Sequence, residues 1–260
     1  MADTASEPRI AWVTGASRGI GAAVARRLAR DGWTVAASAR YAADLKALSR
    51  ESEAMPGRIV GFPLDVSDPD ACARVFAEIG SHLGPVDLVL LNAGTHEPID
   101  GTHFAVAPVR MLVEINLMGA VHCLAPVIQN FVARGRGRIG VVASAAGYRG
   151  LPTASGYGAT KAGLINMCEA LRPELEPAGV ILSCIVPGFV KTTLTDRNPF
   201  AMPFLMDVDD AAARIVRGME TRRFEITFPR RFTYLLKLLR LLPYRAFFAV
   251  TRRLVAKPSG

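Results

Sequence analysis

Hydrophobic and polar positions follow two rhythms along this chain. Short apolar or β-branched runs at 9–14, 33–37, 58–64, 86–91, 138–143 and 180–186 predict strands. Between them, apolar residues recur three and four apart and predict helices at 20–30, 42–52, 69–80, 107–134 and 157–175. In 20–30, Val24 and Leu28 share a face while Arg26 and Arg27 point outward. Asp68 before Pro69 marks a helix start: the carboxylate can accept a first-turn N–H, and proline lacks only a donor that has no partner there anyway. Pro126 lies inside the 107–134 pattern and is expected to kink or break that helix. The run VDLVLL at 86–91 is nearly all apolar, as a strand covered on both faces must be.

Strands alternating with helices predict an α/β protein: a Rossmann-like, doubly wound parallel sheet with helices on both faces. No internal repeat or low-complexity linker divides the chain. The pattern predicts a single domain, taken as 1–228, and a basic, apolar, amphipathic C-terminal extension at 229–260.

Composition narrows the picture. Half of the 260 residues are hydrophobic and a fifth are charged, which excludes a disordered chain. The net charge of +8 is unevenly placed. Residues 214–260 hold 12 Lys and Arg against Glu220 and Glu225, whereas the other 213 residues hold 19 basic and 21 acidic groups. The body has no excess positive charge to suggest nucleic-acid binding, so no nucleic-acid partner is expected. Cys72, Cys123, Cys168 and Cys184 form no CxxC pair and lie in apolar stretches, which reads as core packing in a reducing compartment. His96 and His103 flank Asp100 but lack metal-ligand spacing, so no metal is expected. Neither a signal peptide nor a clear membrane span is expected.

The first strand runs into Thr14-Gly15-Ala16-Ser17-Arg18-Gly19-Ile20-Gly21. Its three glycines allow a tight turn and close backbone approach, and the following helix start offers free N–H groups to a pyrophosphate. The spacing is GxxxGxG, not the general GxGxxG fingerprint. After the second strand comes Arg40, with no acid nearby to hold ribose hydroxyls. Arg40, with Arg18 reaching from the loop, suits a 2′-phosphate, so NADP(H) is expected over NAD(H).

Tyr157 and Lys161 are four apart on a helix and share a face. An ammonium beside a phenol favours the phenolate, so such a pair can move a proton to or from a substrate oxygen. Ser144, at the end of a strand, stands where a substrate carbonyl could be clamped. Asn92-Ala93-Gly94 follows another strand at the same edge and could line the adenosine side. Asn116, inside a helix, reads either as an exposed polar residue or as a water or backbone contact serving Lys161.

Together these residues resemble the classical short-chain dehydrogenase/reductase family across about 10–193. The motifs are TGASRGIG at 14–21, LDVSD at 64–68, NAG at 92–94, Asn116, Ser144, YxxxK at 157–161 and PGFVKT at 187–192. The resemblance implies a tetrad. Tyr157 would be the acid/base, Ser144 the carbonyl clamp, Lys161 the group that lowers the tyrosine pKa and holds the nicotinamide ribose, and Asn116 the anchor of a relay water. It also implies that Asp65 and Val66 meet the adenine, that Asn92 borders the cofactor, and that Pro187, Gly188, Val190 and Thr192 hold the nicotinamide end. It further implies a homodimer or homotetramer acting on a small carbonyl or alcohol.

The segment 189–206 is rich in Phe, Leu and Met and suggests an apolar substrate loop, with Tyr148, Leu151 and Pro152 on the opposite wall. The extension at 229–260 mixes apolar residues with Lys and Arg, with Pro243 interrupting it. It is expected to lie on a membrane surface, with contact to another subunit or cover for the body's own pocket as alternatives. The expectation is a cytoplasmic reductase of an apolar ketone or aldehyde, with a peripheral place on the inner face of a membrane as the alternative. Alternatives are a soluble 3-oxoacyl-thioester reductase and a non-catalytic NADP sensor.

Overall fold

The computed structural model describes residues 9–195 and 202–255. Its strands are β1 (Ile10–Thr14), β2 (Thr34–Ala39), β3 (Arg58–Pro63), β4 (Leu88–Leu91), β5 (Gly137–Val142), β6 (Val180–Pro187) and β7 (Glu225–Phe228). They form one parallel sheet in the order 3-2-1-4-5-6-7. The strand order reverses between β1 and β4, where sheets of this kind bind ligands beyond the strands' carboxyl ends. The helices are α1 (Gly19–Arg30), α2 (Ala42–Arg50), α3 (Pro69–Leu83), α4 (Val106–Leu112), α5 (Gly119–Arg134), α6 (Ser155–Leu175), α7 (Val208–Met219), α8 (Arg230–Leu241) and α9 (Tyr244–Thr251).

Alternation along β1 divides the core into two layers. Ile10 and Trp12 face a layer completed by Phe76 and Ile79 of α3, Val127 and Phe131 of α5, and Leu164 and Cys168 of α6. Ala11 and Val13 face a layer completed by Val24 and Leu28 of α1, Leu45 and Leu48 of α2, and Ile215 and Met219 of α7. The four cysteines are buried and free, as their apolar surroundings predict. The Asp68 carboxylate accepts from the Ala71 N–H with Pro69 at the first helical position, so that helix start is as read.

Three features differ from the pattern. The helix at 106–134 is not broken at Pro126: α5 runs through it. Proline removes one N–H, which would have met the His122 carbonyl, on a side that solvent reaches in part. The irregularity lies earlier, in a π-helical turn at Val113–Met118. Second, this helix is itself long and apolar enough to cross a bilayer, and 115–133 contains no Asp, Glu, Lys or Arg, which corrects the expectation of no candidate span. In the fold its Leu112, Cys123, Leu124, Val127 and Phe131 are buried in the protein core. Third, α7 and β7 lie beyond the last strand the pattern predicted, and β7 forms the sheet edge.

The C-terminal segment forms α8 and α9, separated at Leu242–Pro243. Phe232 and Leu236 of α8 join the same core layer as α5 and α6. Residues 256–260 of the predicted extension lie outside the described residues.

Candidate active site

Parallel pairing puts the carboxyl ends of β1, β2, β4, β5 and β6 at one edge, and the sequence-predicted site residues follow those ends. After β1, Gly15 and Gly19 have left-handed backbone, with φ of 64° and 57°. A Cβ on Gly15 would lie 2.7 Å from the Ala93 Cα, and one on Gly21 would lie 2.3 Å from the Gly15 carbonyl oxygen. Only hydrogen at these positions lets the loop lie this close to the end of β4. Asn92 pins the two together: its Nδ2 donates to the Thr14 and Gly15 carbonyls at 3.2 and 3.1 Å. The Thr14 hydroxyl oxygen accepts the Asn92 and Ala93 N–H groups.

The first turn of α1 holds no acid, and Arg18 makes no side-chain cap. Its N–H groups therefore remain available to an anion, and with the glycine cradle they fit a dinucleotide pyrophosphate. Arg18 and Arg40 are both exposed at this edge. The Arg40 guanidinium lies 5.5 Å from the Tyr41 ring centroid. It also helps hold the Asp65 carboxyl below its ordinary value, after the larger effect of the Ser67 backbone N–H bonded to that carboxylate. Val66 is buried beneath Asp65. At the other end, Thr192 folds back so that its Cγ2 would lie 3.3 Å from a Cβ on Gly19. This places Thr192 across the glycine loop, with Gly188 bonded to the Phe228 carbonyl and Val190 buried beside it.

Ser144 follows β5, and Tyr157 lies in the first turn of α6, one turn before Lys161. The Ser144 hydroxyl accepts the Ala146 N–H at 3.2 Å and is close enough to the Tyr157 phenol to influence its pKa. Lys161 is buried, with its Nζ donating to the Val142 carbonyl at 2.9 Å and lying 5.7 Å from the Tyr157 ring centroid. Burial lowers its pKa to about 8. Burial also pushes the Tyr157 phenol above its ordinary value, and the neighbouring Ser144 side chain pulls it partway back. In this arrangement, desolvation sets the direction of the tyrosine shift.

Asn116 is 1% exposed, which excludes the exposed-helix reading. The π-helical turn carries it inward, where its Oδ1 accepts the Thr95 N–H at 2.7 Å and its Nδ2 donates to the Thr95 carbonyl at 2.9 Å. Its Nδ2 also reaches the Thr160 hydroxyl, one residue before Lys161. Gly94 allows this closure: a Cβ there would lie 3.2 Å from Asn116 Oδ1 and 3.6 Å from Lys161 Nζ. One contact escaped the sequence reading. His96 packs edge-on against Tyr157, with ring centroids 4.7 Å apart. Its place just after Asn92-Ala93-Gly94 was the available signal.

The substrate side is only partly as expected. Tyr148 turns away: its hydroxyl donates to Glu225 at 2.7 Å, and burial raises its pKa. It lines a cavity of about 580 Å³ beneath α8 that none of Ser144, Tyr157 and Lys161 lines. Phe189 packs on Phe232 of α8, with centroids 5.1 Å apart. Phe204 is exposed and has a φ of 59°, and Thr153 on the loop before Tyr157 has a φ of 62°. Such backbone costs roughly 1–2 kcal/mol per residue and tends to cluster where a fold shapes a binding site. Phe200, also predicted in this loop, lies outside the described residues.

Comparison with known proteins agrees with this fold. Residues 9–200 match the family model described as short chain dehydrogenase. An uncharacterised oxidoreductase of Myxococcus xanthus is 37% identical, over 95% of this chain and 97% of its own. The ketoacyl reductase HetN of a Nostoc species is 31% identical over 82% of this chain and 76% of its own. The alcohol dehydrogenase of the archaeon Thermococcus sibiricus, solved with 5-hydroxy-NADP, superposes with a TM-score of 0.78 at 27% identity, covering 85% of this chain and 96% of its own. The chain belongs to the short-chain dehydrogenase family.

Proposed function

We propose that this oxidoreductase is an NADPH-dependent reductase of an apolar, lipid-like ketone or aldehyde. The observation that carries the reading is the convergence of Ser144, the desolvated Tyr157 and the buried Lys161, whose Nζ lies 5.7 Å from the Tyr157 ring centroid. The nicotinamide supplies the hydride when bound. Ser144 would bind and orient the substrate oxygen, and the Tyr157 hydroxyl would deliver the proton to that oxygen. A protonated phenol at this position can donate to the oxygen of a carbonyl being reduced. Lys161, fixed by the Val142 carbonyl, would hold the ribose and recharge the phenol. Asn116 would keep Thr95 and Thr160 in register around that lysine.

Support for NADPH comes from Arg40 and Arg18 at an edge that carries no acid at the end of β2. The solved relative with an NADP analogue points the same way. The apolar substrate is supported by Phe189 and the exposed Phe204 and Leu205. Free buried cysteines support a reducing cytoplasmic compartment. The family also supports a homodimer or homotetramer, which light scattering reads directly.

The test is steady-state reduction of a panel of long-chain ketones and aldehydes with NADPH and NADH. Tyr157→Phe should lower kcat by roughly 10²–10⁴-fold while leaving NADPH binding intact. Unchanged turnover would overturn the proposed chemistry, and equal kcat/KM with NADH would overturn the cofactor preference. A second reading, 3-oxoacyl-thioester reduction, is favoured by the HetN relative. Turnover of carrier-bound but not free acyl ketones would select it.

A further inference from the structure

α8 is apolar on two sides. Phe232, Leu236 and Leu239 face the protein core. Away from that layer, Leu235, Leu238 and Leu241 follow helical spacing and remain exposed, Leu238 by 62% and Leu241 by 79%; Leu238 and Leu241 also line the cavity that Tyr148 lines. α9 continues this surface with Tyr244, 71% exposed and stacked on Phe248. Exposed apolar patches of this kind mark surfaces that meet an apolar partner, and the described residues leave this side of α8 uncovered.

The surface is also rigidly mounted. Arg149 donates to the Arg240 and Leu242 carbonyls, the free acceptors at the end of α8, at 2.5 and 3.3 Å. Its guanidinium lies 4.3 Å from the Phe247 ring centroid and 5.0 Å from that of Tyr244. Lys237 is paired with Glu225. The exposed leucines are therefore held outward by the body rather than left on a loose arm.

Charge selects the occupant. Between 229 and 260 the chain has no Asp or Glu, and Arg230, Arg231, Arg240, Arg245, Arg252 and Arg253 are all exposed. A second copy of this face would bring the same cations against themselves. An anionic lipid surface meets both needs: its acyl boundary takes the leucines and aromatics, and its headgroups take the arginines. We infer that the outer face of α8 and α9 is a docking surface for anionic membranes. The site residues at Gly188 and Phe189 lie directly against α8, since Phe232 contacts both, so docking would bring the nicotinamide end of the site close to the bilayer.

The experiment is co-sedimentation of the full-length protein with vesicles of phosphatidylcholine containing phosphatidylglycerol, and with phosphatidylcholine vesicles alone. Binding to the anionic vesicles should be about tenfold or more stronger and should weaken with salt. The double variant Leu238→Glu/Leu241→Glu should lose about tenfold or more of that binding, because these side chains are solvent-exposed in the free fold. Its melting temperature and NADPH binding should not change. A second variant, Arg245→Glu/Arg252→Glu, should lose the preference for anionic lipid. No vesicle binding, or equal binding by the leucine variant, overturns the inference. So does a dimer, seen by light scattering, that dissociates in the leucine variant, since a second copy would then cover the face. NADPH binding and turnover are read separately, so this surface and the proposed chemistry can fail independently.

Discussion

Lys161 illustrates the cost of a functional group placed inside a core. It is 4% exposed, and its pKa falls from 10.5 to about 8. Below pH 8, both folded and unfolded chains carry its proton, and the cost of burying the cation is present in full. Between about pH 8 and 10.5 the unfolded chain keeps a proton that the folded one has released, so stability rises with pH through that window. At about 1.4 kcal/mol per unit, the cost is roughly 3 kcal/mol, partly offset by the bond to Val142. Lys161→Met should therefore raise Tm at pH 7 by several degrees, remove the stability gain between pH 8 and 10, and abolish turnover. Thermal melts across pH check this; a lower Tm at pH 7 would show that the lysine supports the fold. The spacing of Tyr157 and Lys161 was legible because a helix turn is a local rule. The direction of the tyrosine shift was not, because it depends on what surrounds the ring. Asn116 could not be classed from the sequence for the same reason: its partner, Thr95, lies on a different element.

At the scale of elements, the strand–loop–helix unit β1–α1 was readable nearly in full. Glycine spacing after an apolar run is local information, and the backbone confirms why glycine stands there. Gly21→Ala would put a methyl group 2.3 Å from the Gly15 oxygen, where backbone must move. Overpacking of this kind costs about 1–3 kcal/mol, so NADPH affinity should fall roughly 5- to 150-fold. The same substitution at Gly80 meets nothing within 4 Å inside α3 and should stabilise the protein by about 0.5–1 kcal/mol. Fluorescence titration of NADPH and thermal melts of the two variants separate the effects. The π-helical turn at Val113–Met118 was not readable. Its sequence, VEINLM, has no breaker, and the turn follows from seating Asn116 on Thr95 rather than from local preference. Pro126 shows the reverse: a strong local breaker tolerated because only one hydrogen bond is lost.

The whole molecule adds a connection that no single element contains. Arg149, on the loop between Ser144 and Tyr157, ties that loop to the end of α8 and to the rings of α9. The adjacent loop rests on α6: a Cβ on Gly147 would lie 2.7 Å from the Lys161 carbonyl carbon. Arg149→Ala should leave two carbonyls at the end of α8 without this partner and remove two cation–π contacts, costing about 1–3 kcal/mol. Hydrogen exchange should show faster opening of α9 with the β-sheet core unchanged; unchanged α9 protection would mean that buried anchors such as Phe232, Leu236 and Phe247 hold the C-terminal helices without Arg149. The amphipathic character of 229–260 and its interruption at Pro243 were legible because apolar spacing and a proline are written in the chain.

The sequence by itself determined the alternation of strands and helices, the phosphate loop, and the order of the family's motifs. These depend on short-range rules: backbone freedom at glycine, the donor missing at proline, and side-chain periods of two and 3.6. Only the tertiary structure decided how burial shifts Tyr157 and Lys161, which partner seats Asn116, where Tyr148 points, and which side of α8 is left exposed. Each of these is set by neighbours distant in sequence, since desolvation and packing depend on what the fold brings alongside a residue.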